Sequence, residues 1–217
     1  MDASTPFHST DRRSTLRAQQ AELTRSAILD AARRLFAKQG YAATAVRPIA
    51  EEAGVAVQTL YTTFGSKQGL LVALVDTVRE QSQSQVLGEQ IVQTDDPLEM
   101  VRLAARIRRQ VLERGGDVVA TFREGAAGDP EVAAAYEEGH RRTREGVTRF
   151  CSRLQTLGAL RPELTVQRAV DQVAAMFSAE IFEELTGHRS RWSPDEYERW
   201  LFERLSEILL PPGVGRS

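Results

Sequence analysis

Of the seven hydrogen-bonding side chains in residues 58–67, six stand out: Gln58, Thr59, Tyr61, Thr62, Thr63 and Lys67. Their types suit one kind of chemistry. A glutamine amide can pair bidentately with an adenine edge, and a threonine can bond a base edge or rest its methyl on that of thymine. A tyrosine offers a stiff ring tipped by a hydroxyl, and a lysine is a point charge suited to a phosphate oxygen. Two readings stand at this point. The segment is a solvated helix face, with Tyr61 half-buried in a core and Lys67 an ordinary surface charge, or it is a surface that reads nucleic acid.

Other chemistries lack their residue patterns. The three histidines, His8, His140 and His188, lie far apart without ligand spacing, so no metal or cofactor is expected. No nucleophile–base pair or phosphate-binding glycine loop occurs, which argues against an enzyme. The single cysteine, Cys151, excludes a disulfide within the chain and suits a reducing cytoplasm. No apolar run approaches the roughly 18 residues of a membrane span, and MDASTPFHST does not read as a signal peptide. A cytoplasmic protein with no membrane partner is therefore expected. The net charge of −2 hides a tilt: residues 1–80 hold 10 Lys+Arg against 8 Asp+Glu, and residues 81–217 hold 18 against 22. That tilt permits a nucleic-acid partner for the first third without requiring one.

The elements that must position these groups are helical throughout. Apolar residues recur at helical spacing almost everywhere and no alternating run marks a strand. A first helix is expected over about 18–39, with Ile28, Ala32, Leu35 and Phe36 on one face and Gly40 as its left-handed C-terminal cap. Thr44 is expected to cap a short helix from Ala45 to Ala53, with Pro48 in its first turn. A third short helix covers about 57–64, and Ser66 caps a fourth. Asp96-Pro97-Leu98-Glu99, Asp129-Pro130 and Ser193-Pro194-Asp195-Glu196 open later helices by capping chemistry. Gly158 closes the helix that begins at Asp129, and a further helix is expected over about 165–187. The expectation is an all-α chain of about nine helices.

Residues 46–64 have the pattern of a helix-turn-helix. Ile49, Ala53, Val55 and Leu60 form the shared core, Ala50 lies at the close approach of the two helices, and Gly54 sits at the turn. Around it stand Ile28-Leu29-Asp30-Ala31-Ala32, Leu35-Phe36, Gly40-Tyr41, Ile49-Ala50, Ala53-Gly54-Val55, Thr59-Leu60-Tyr61, Phe64, Ser66-Lys67 and Leu70-Leu71. In that order and spacing, residues 20–75 resemble the DNA-binding domain of the TetR/AcrR family of bacterial transcriptional regulators.

The resemblance implies an N-terminal three-helix DNA-binding domain and a larger helical domain for ligand binding and dimerisation. In these terms residues 1–17 are a flexible N-terminal arm and 18–67 the DNA-binding domain, with the helix-turn-helix at 45–64. Residues 68–210 are the regulatory and dimerisation domain, and 211–217 a disordered tail. The helix from Val57 to Phe64 is implied to lie in the major groove, with Thr44 and Arg47 touching DNA from the preceding helix. Tyr61 and Lys67 match positions that bind phosphate. Ala56, Gln58 and Thr63 depart from the residues common in the family. The reader helix holds no Lys or Arg, so Arg47 and the arm around Arg12 and Arg13 are expected to supply positive charge.

The resemblance further implies a homodimer on a palindromic double-stranded DNA operator and an unidentified small-molecule effector. Interface candidates are the apolar positions Val166, Val170, Val173, Phe177 and Ile181 in one helix and Trp200, Leu201, Leu205 and Ile208 in the last. The alternative is that both stripes form a thick monomeric core. Candidate effector-lining residues are Met100, Phe122, Tyr136, Phe150 and Phe177, with Arg123 or His140 as polar anchors. The same aromatics also suit a plain core. The leading expectation is a repressor released by its effector. The alternatives are an activator, a regulator controlled by a protein partner, or an all-helical enzyme with a structural helix-turn-helix.

Overall fold

Among residues 9–213, which the computed structural model describes with side chains from residue 15 onward, the chain forms ten helices and no strand. They are α1 (Ser9–Gln39), α2 (Val46–Glu52), α3 (Val57–Phe64), α4 (Lys67–Gln81), α5 (Ser84–Gln93), α6 (Pro97–Ala126), α7 (Pro130–Thr156), α8 (Val166–Met176), α9 (Ala179–Thr186) and α10 (Pro194–Leu209). The chain divides into two compact units, residues 1–74 and 75–217, with the boundary inside α4.

In the first unit, α1 buries Ile28, Leu29, Ala31, Ala32 and Phe36, the face its sequence period marks out. Gly40 ends it at φ 82°, a conformation that costs an L side chain about 1 kcal/mol or more. Helices α2 and α3 contribute Ile49, Ala50 and Leu60, each fully buried, and α4 adds Leu70 and Leu71. Truncating Leu60 to alanine would cost about 2–5 kcal/mol and unseat α3. An ion pair between Arg34 and Glu52, 2.7 Å, ties α1 to α2.

In the second unit α6 is the central helix, packed by α5, α7, α9 and α10. Its apolar stripe meets those of α7, α8 and α10 in one core that includes Met100, Val101, Ala105, Cys151, Leu154, Ala169, Val173, Tyr197, Leu201, Leu205 and Leu209. Several starts follow the expected capping chemistry. Asp96 accepts from the Leu98 N–H, Asp129 from those of Glu131 and Val132, and Thr165 from that of Arg168. Ser193 and Glu196 form a reciprocal capping box. At Asp96 the box is only half made: Glu99 pairs instead with Arg102, 2.7 Å away. Among the described residues, no helix is long and apolar enough to cross a membrane.

The structure departs from the sequence expectations at four places. Helix α1 begins at Ser9, so residues 9–17 are helical rather than an irregular arm; residues 1–8 lie outside the described residues. Of the expected tail, 211–213 form a turn and 214–217 lie outside the described residues. A separate α5 follows a left-handed Gln83, φ 52°, which ends the run of α4. The single helix expected over 165–187 is two. Phe177 terminates α8, and the Ser178 hydroxyl accepts from the Glu180 N–H to start α9.

Candidate nucleic-acid interface

The site is built on the turn between α2 and α3. Gly54 adopts φ 70°, so the chain reverses there without the steric cost that a Cβ would bring. The Val55 N–H then bonds the Ala50 carbonyl at 3.0 Å, closing the turn against α2. Helix α3 buries Leu60 on one side and turns Gln58, Tyr61, Thr62 and Thr63 outward, with Thr59 half-buried. Helical spacing puts Gln58, Tyr61 and Thr62 on one face and Thr59 and Thr63 beside them. Tyr61 retains 44% of its surface, which is unusual for a ring and leaves its hydroxyl available. The polar face of the sequence is therefore one exposed surface.

Its hydrogen-bonding capacity is narrower than the residue types suggest. The Thr62 hydroxyl donates to the Gln58 carbonyl and that of Thr63 to the Thr59 carbonyl, both at 2.8 Å. In these rotamers both threonines can only accept, so they suit base amino groups and methyls rather than phosphate oxygens. Gln58 and Tyr61 remain as outward donors on α3. Ala56, the N-cap, has no side-chain acceptor, so no side chain caps the leading N–H groups of α3.

The expected capping role of Thr44 is corrected by the geometry, and Lys67 finds partners within the fold. Thr44 is not the N-cap of α2: that position is Ala45, without a capping side chain. The Thr44 side chain is buried, and its hydroxyl donates to the Gly40 carbonyl at 2.6 Å, satisfying the end of α1. It therefore does not face outward. Lys67, at the first turn of α4, folds back over the α1–α2 connection. Its ammonium donates to the Tyr41 carbonyl at 2.9 Å and the Thr44 carbonyl at 3.2 Å, and sits 4.1 Å from the centre of the Tyr41 ring. Here Lys67 is a clamp that fixes the entry into α2. Arg47 is an exposed cation at the start of α2, paired with the solvent-facing Glu51 at 2.9 Å, a kind of pair that contributes about 0–1 kcal/mol. The side chains of Arg12 and Arg13 lie outside the described residues.

In the second unit the expected effector-lining residues separate. Met100 and Phe150 are core. Phe122, Tyr136 and His140 form a row, with ring centres 5.6 Å and 4.4 Å apart, and Phe177 is half-buried. Arg123 is exposed and paired with Glu180, and His140 is exposed, so neither is a buried anchor. Of the interface candidates, Val170, Val173, Leu201 and Leu205 are consumed by the chain's own core, which removes them from any partner surface. Val166, Phe177, Ile181, Trp200 and Ile208 keep partly accessible surface against that core.

Sequence reading passed over one residue, Arg108. It stands on the buried stripe of α6, where its neighbours three and four residues away are Ala104, Ala105, Val111 and Leu112. A cation flanked only by apolar residues at helical spacing was the available signal.

Two short helices crossing at a glycine turn over a first-helix core, with an exposed polar face, define a helix-turn-helix DNA-binding unit. Residues 28–74 match the sequence profile of the bacterial regulatory proteins of the tetR family. The chain is 28% identical over 217 residues to the probable HTH-type transcriptional regulator ArpR of Pseudomonas putida, covering 90% of this chain and 96% of that protein. It is 33% identical over 105 residues to the HTH-type transcriptional regulator YvkB of Bacillus subtilis, covering 48% of this chain and about half, 53%, of that protein. In fold it is similar to NalD, the secondary repressor of the MexAB-OprM multidrug efflux pump in Pseudomonas aeruginosa. That likeness has a TM-score of 0.72 at 23% identity, over 89% of this chain and 99% of that one. Residues 28–74 thus carry a tetR-type DNA-binding domain, and the whole chain is similar in sequence and fold to HTH-type transcriptional regulators.

Proposed function

We propose that this protein is a homodimeric repressor that binds a palindromic operator through α3 and is released by a small molecule held in its second unit. The observation that carries the DNA-reading role is the exposed Gln58, Tyr61, Thr62 and Thr63 face on a helix whose other side is anchored by the fully buried Leu60. Gln58 reads a base edge, Thr59 and Thr62 accept from base amino groups or pack on thymine methyls, and Thr63 borders the backbone. Tyr61 and Arg47 take phosphates. Thr44 and Lys67 act behind this surface by holding the start of α2.

One reader helix spans only a few base pairs, so useful affinity calls for two copies on repeated half-sites. The half-buried Val166, Ile181, Trp200 and Ile208 supply apolar surface for that pairing. Helix α4 carries both the Lys67 clamp and Val78, which packs on Gly115 of α6. A shift of α6 on effector binding thus has a continuous helix to act through. Repression is also the role named for NalD, whose fold this chain shares.

The test is fluorescence anisotropy of the full chain on DNA flanking its own gene, with scrambled DNA as control, at several salt concentrations. The expected result is saturable, sequence-selective binding with two protomers per operator. Each phosphate contact adds about 0.9 to the negative slope of log K against log salt. Equal, weak binding to both DNAs and to the products of a random-library selection would overturn the reading.

A further inference from the structure

The middle of α6 is unlike the rest of the second unit. Residues 106–111 all keep partial exposure, although four other helices pack on α6. Arg108 is the extreme case. Protein surrounds it so deeply that burial pushes its guanidinium down to about 10, against the opposing influence of the Tyr197 and Tyr136 hydroxyls. Yet part of its side chain remains accessible. Arg108 is thus set deep in the second unit and still within reach of a small molecule.

The polar groups around Arg108 are under-satisfied. Arg108 Nε and the Tyr197 hydroxyl are both cut off from solvent with no partner in good hydrogen-bonding geometry, although the two side chains lie close enough to influence each other. Among the described residues, no carboxylate pairs with Arg108, whereas Arg106 and Arg109 beside it share Glu198, at 3.5 and 2.8 Å. Arg109 reaches Glu113 as well. The sequence therefore supplies acids to the two outer arginines and none to the inner one. The remaining surroundings are apolar: the Phe177 ring centre lies 5.8 Å from the Arg108 guanidinium carbon. Tyr136, whose dipole Arg108 also feels, stacks edge-on to Phe122. Tyr197 itself is fixed between Phe182 and Trp200, with ring centres 4.9 and 5.9 Å away.

A buried cation without a counter-ion is costly, and removing one partner of a buried pair is among the most destabilising changes known. Such a site invites the missing anion. We propose that Arg108 anchors the effector, and that the effector is an apolar molecule ending in a carboxylate. The carboxylate sits on the Arg108 guanidinium and accepts from the Tyr197 hydroxyl. Its apolar body lies against Phe177, Tyr136 and Phe122. This rests on the effector-controlled reading given above and names the chemistry of its ligand.

The test uses probes that share a body and differ at the head: decanoate, decanol and decyltrimethylammonium, with 1-naphthoate and 1-naphthol as a second pair. Each is added to wild type, Arg108→Met and Arg108→Lys. The readouts are Tm, followed by tryptophan fluorescence, and operator affinity by anisotropy. At a hundredfold excess over Kd, a carboxylate raises the wild-type Tm by roughly 5–10 °C. It also weakens operator binding, and both effects fall at least tenfold in Arg108→Met and partly return in Arg108→Lys. Without ligand, Arg108→Met melts higher than wild type by about 2–4 °C, because methionine fills the space without an unpaired charge.

The proposal is overturned if the alcohols match the carboxylates, if Arg108→Met responds like wild type, or if no carboxylate shifts Tm. It also falls if unliganded Arg108→Met is destabilised, which would make Arg108 structural. Release of DNA by the alcohol or ammonium alone would leave effector control standing and sink only the anionic ligand. Absence of specific DNA binding would sink the repressor reading, while the Tm comparison would still decide the site.

Discussion

Gly115 offers a sharp test of how tightly α4 and α6 are joined. It interrupts α6 with φ −144° and ψ 19°, and a Cβ placed on it would lie 2.4 and 2.5 Å from the two Val78 methyls and 3.0 Å from the Val78 Cβ. Ordinary contact begins near 3.4 Å, so the overlap is about 1 Å. Val78 cannot move aside: it is buried, its χ1 is stiff, and rotation exchanges one methyl for another while the Cβ contact stays. The helices must separate, at a cost of about 1–3 kcal/mol for overpacking. Against this, Gly115→Ala restricts the unfolded chain and returns about 0.4–1 kcal/mol, since alanine tolerates the native φ. The balance is a loss of about 1–2 kcal/mol, or a Tm lower by about 2–8 °C. In a Val78→Ala background both methyls are gone and most of the penalty vanishes. Urea denaturation of the four proteins, followed by circular dichroism at constant pH and salt, gives the coupling. An interaction of about 1 kcal/mol or more is expected. If Gly115→Ala costs the same with and without the Val78 methyls, the close approach is not what the glycine serves.

Three further outcomes follow from the site. Gln58→Ala should flatten the preference at one base pair of the operator by about 1–3 kcal/mol while binding persists; an unchanged ranking of operator variants would remove its reading role. Lys67→Met should weaken operator and scrambled DNA alike and also lower Tm by about 3 °C or more, because two carbonyls lose a charged donor. A shallower salt slope with unchanged Tm would instead return Lys67 to direct phosphate contact. Burial pushes the Cys151 thiol up to about 12, so it should resist a disulfide reagent at pH 8 and react only as urea opens the fold. The same shift makes the thiol's contribution to stability intact below its ordinary value of 9.0 and progressively lost as pH climbs towards 12. Fast labelling of the native chain would contradict its burial.

What the sequence disclosed depended on whether the determinant was local. Gly40 and Gly54 announce left-handed turns, and Asp129 and Ser193 announce helix starts, because the cause and its effect lie within four residues. The break at Phe177 was equally local: Ser178 two residues before Glu180 is a cap signal that a strong apolar stripe outweighed. The intramolecular roles of Thr44 and Lys67 are not legible in the sequence for a different reason. Their partners are carbonyls at the end of α1 and in the connection after it, and only the packed domain brings those within reach. Leu201 and Leu205 read as surplus apolar surface because a helix wheel does not say which of two stripes meets α6. Arg108 combined both problems, since its apolar neighbours were visible but the depth at which it lies was not.

The absence of lysine and arginine from α3 also bears on where the protein spends its time in a cell. Chromosomal DNA of arbitrary sequence competes for every such regulator, and its hold comes almost wholly from counter-ions displaced by cations. If α3 reads DNA as proposed, VQTLYTTF displaces none, and the non-specific hold rests on cations outside α3 such as Arg47. A change at that cation then alters how much of the protein is stored on irrelevant sequence without touching the hydrogen bonds and methyl contacts that distinguish an operator.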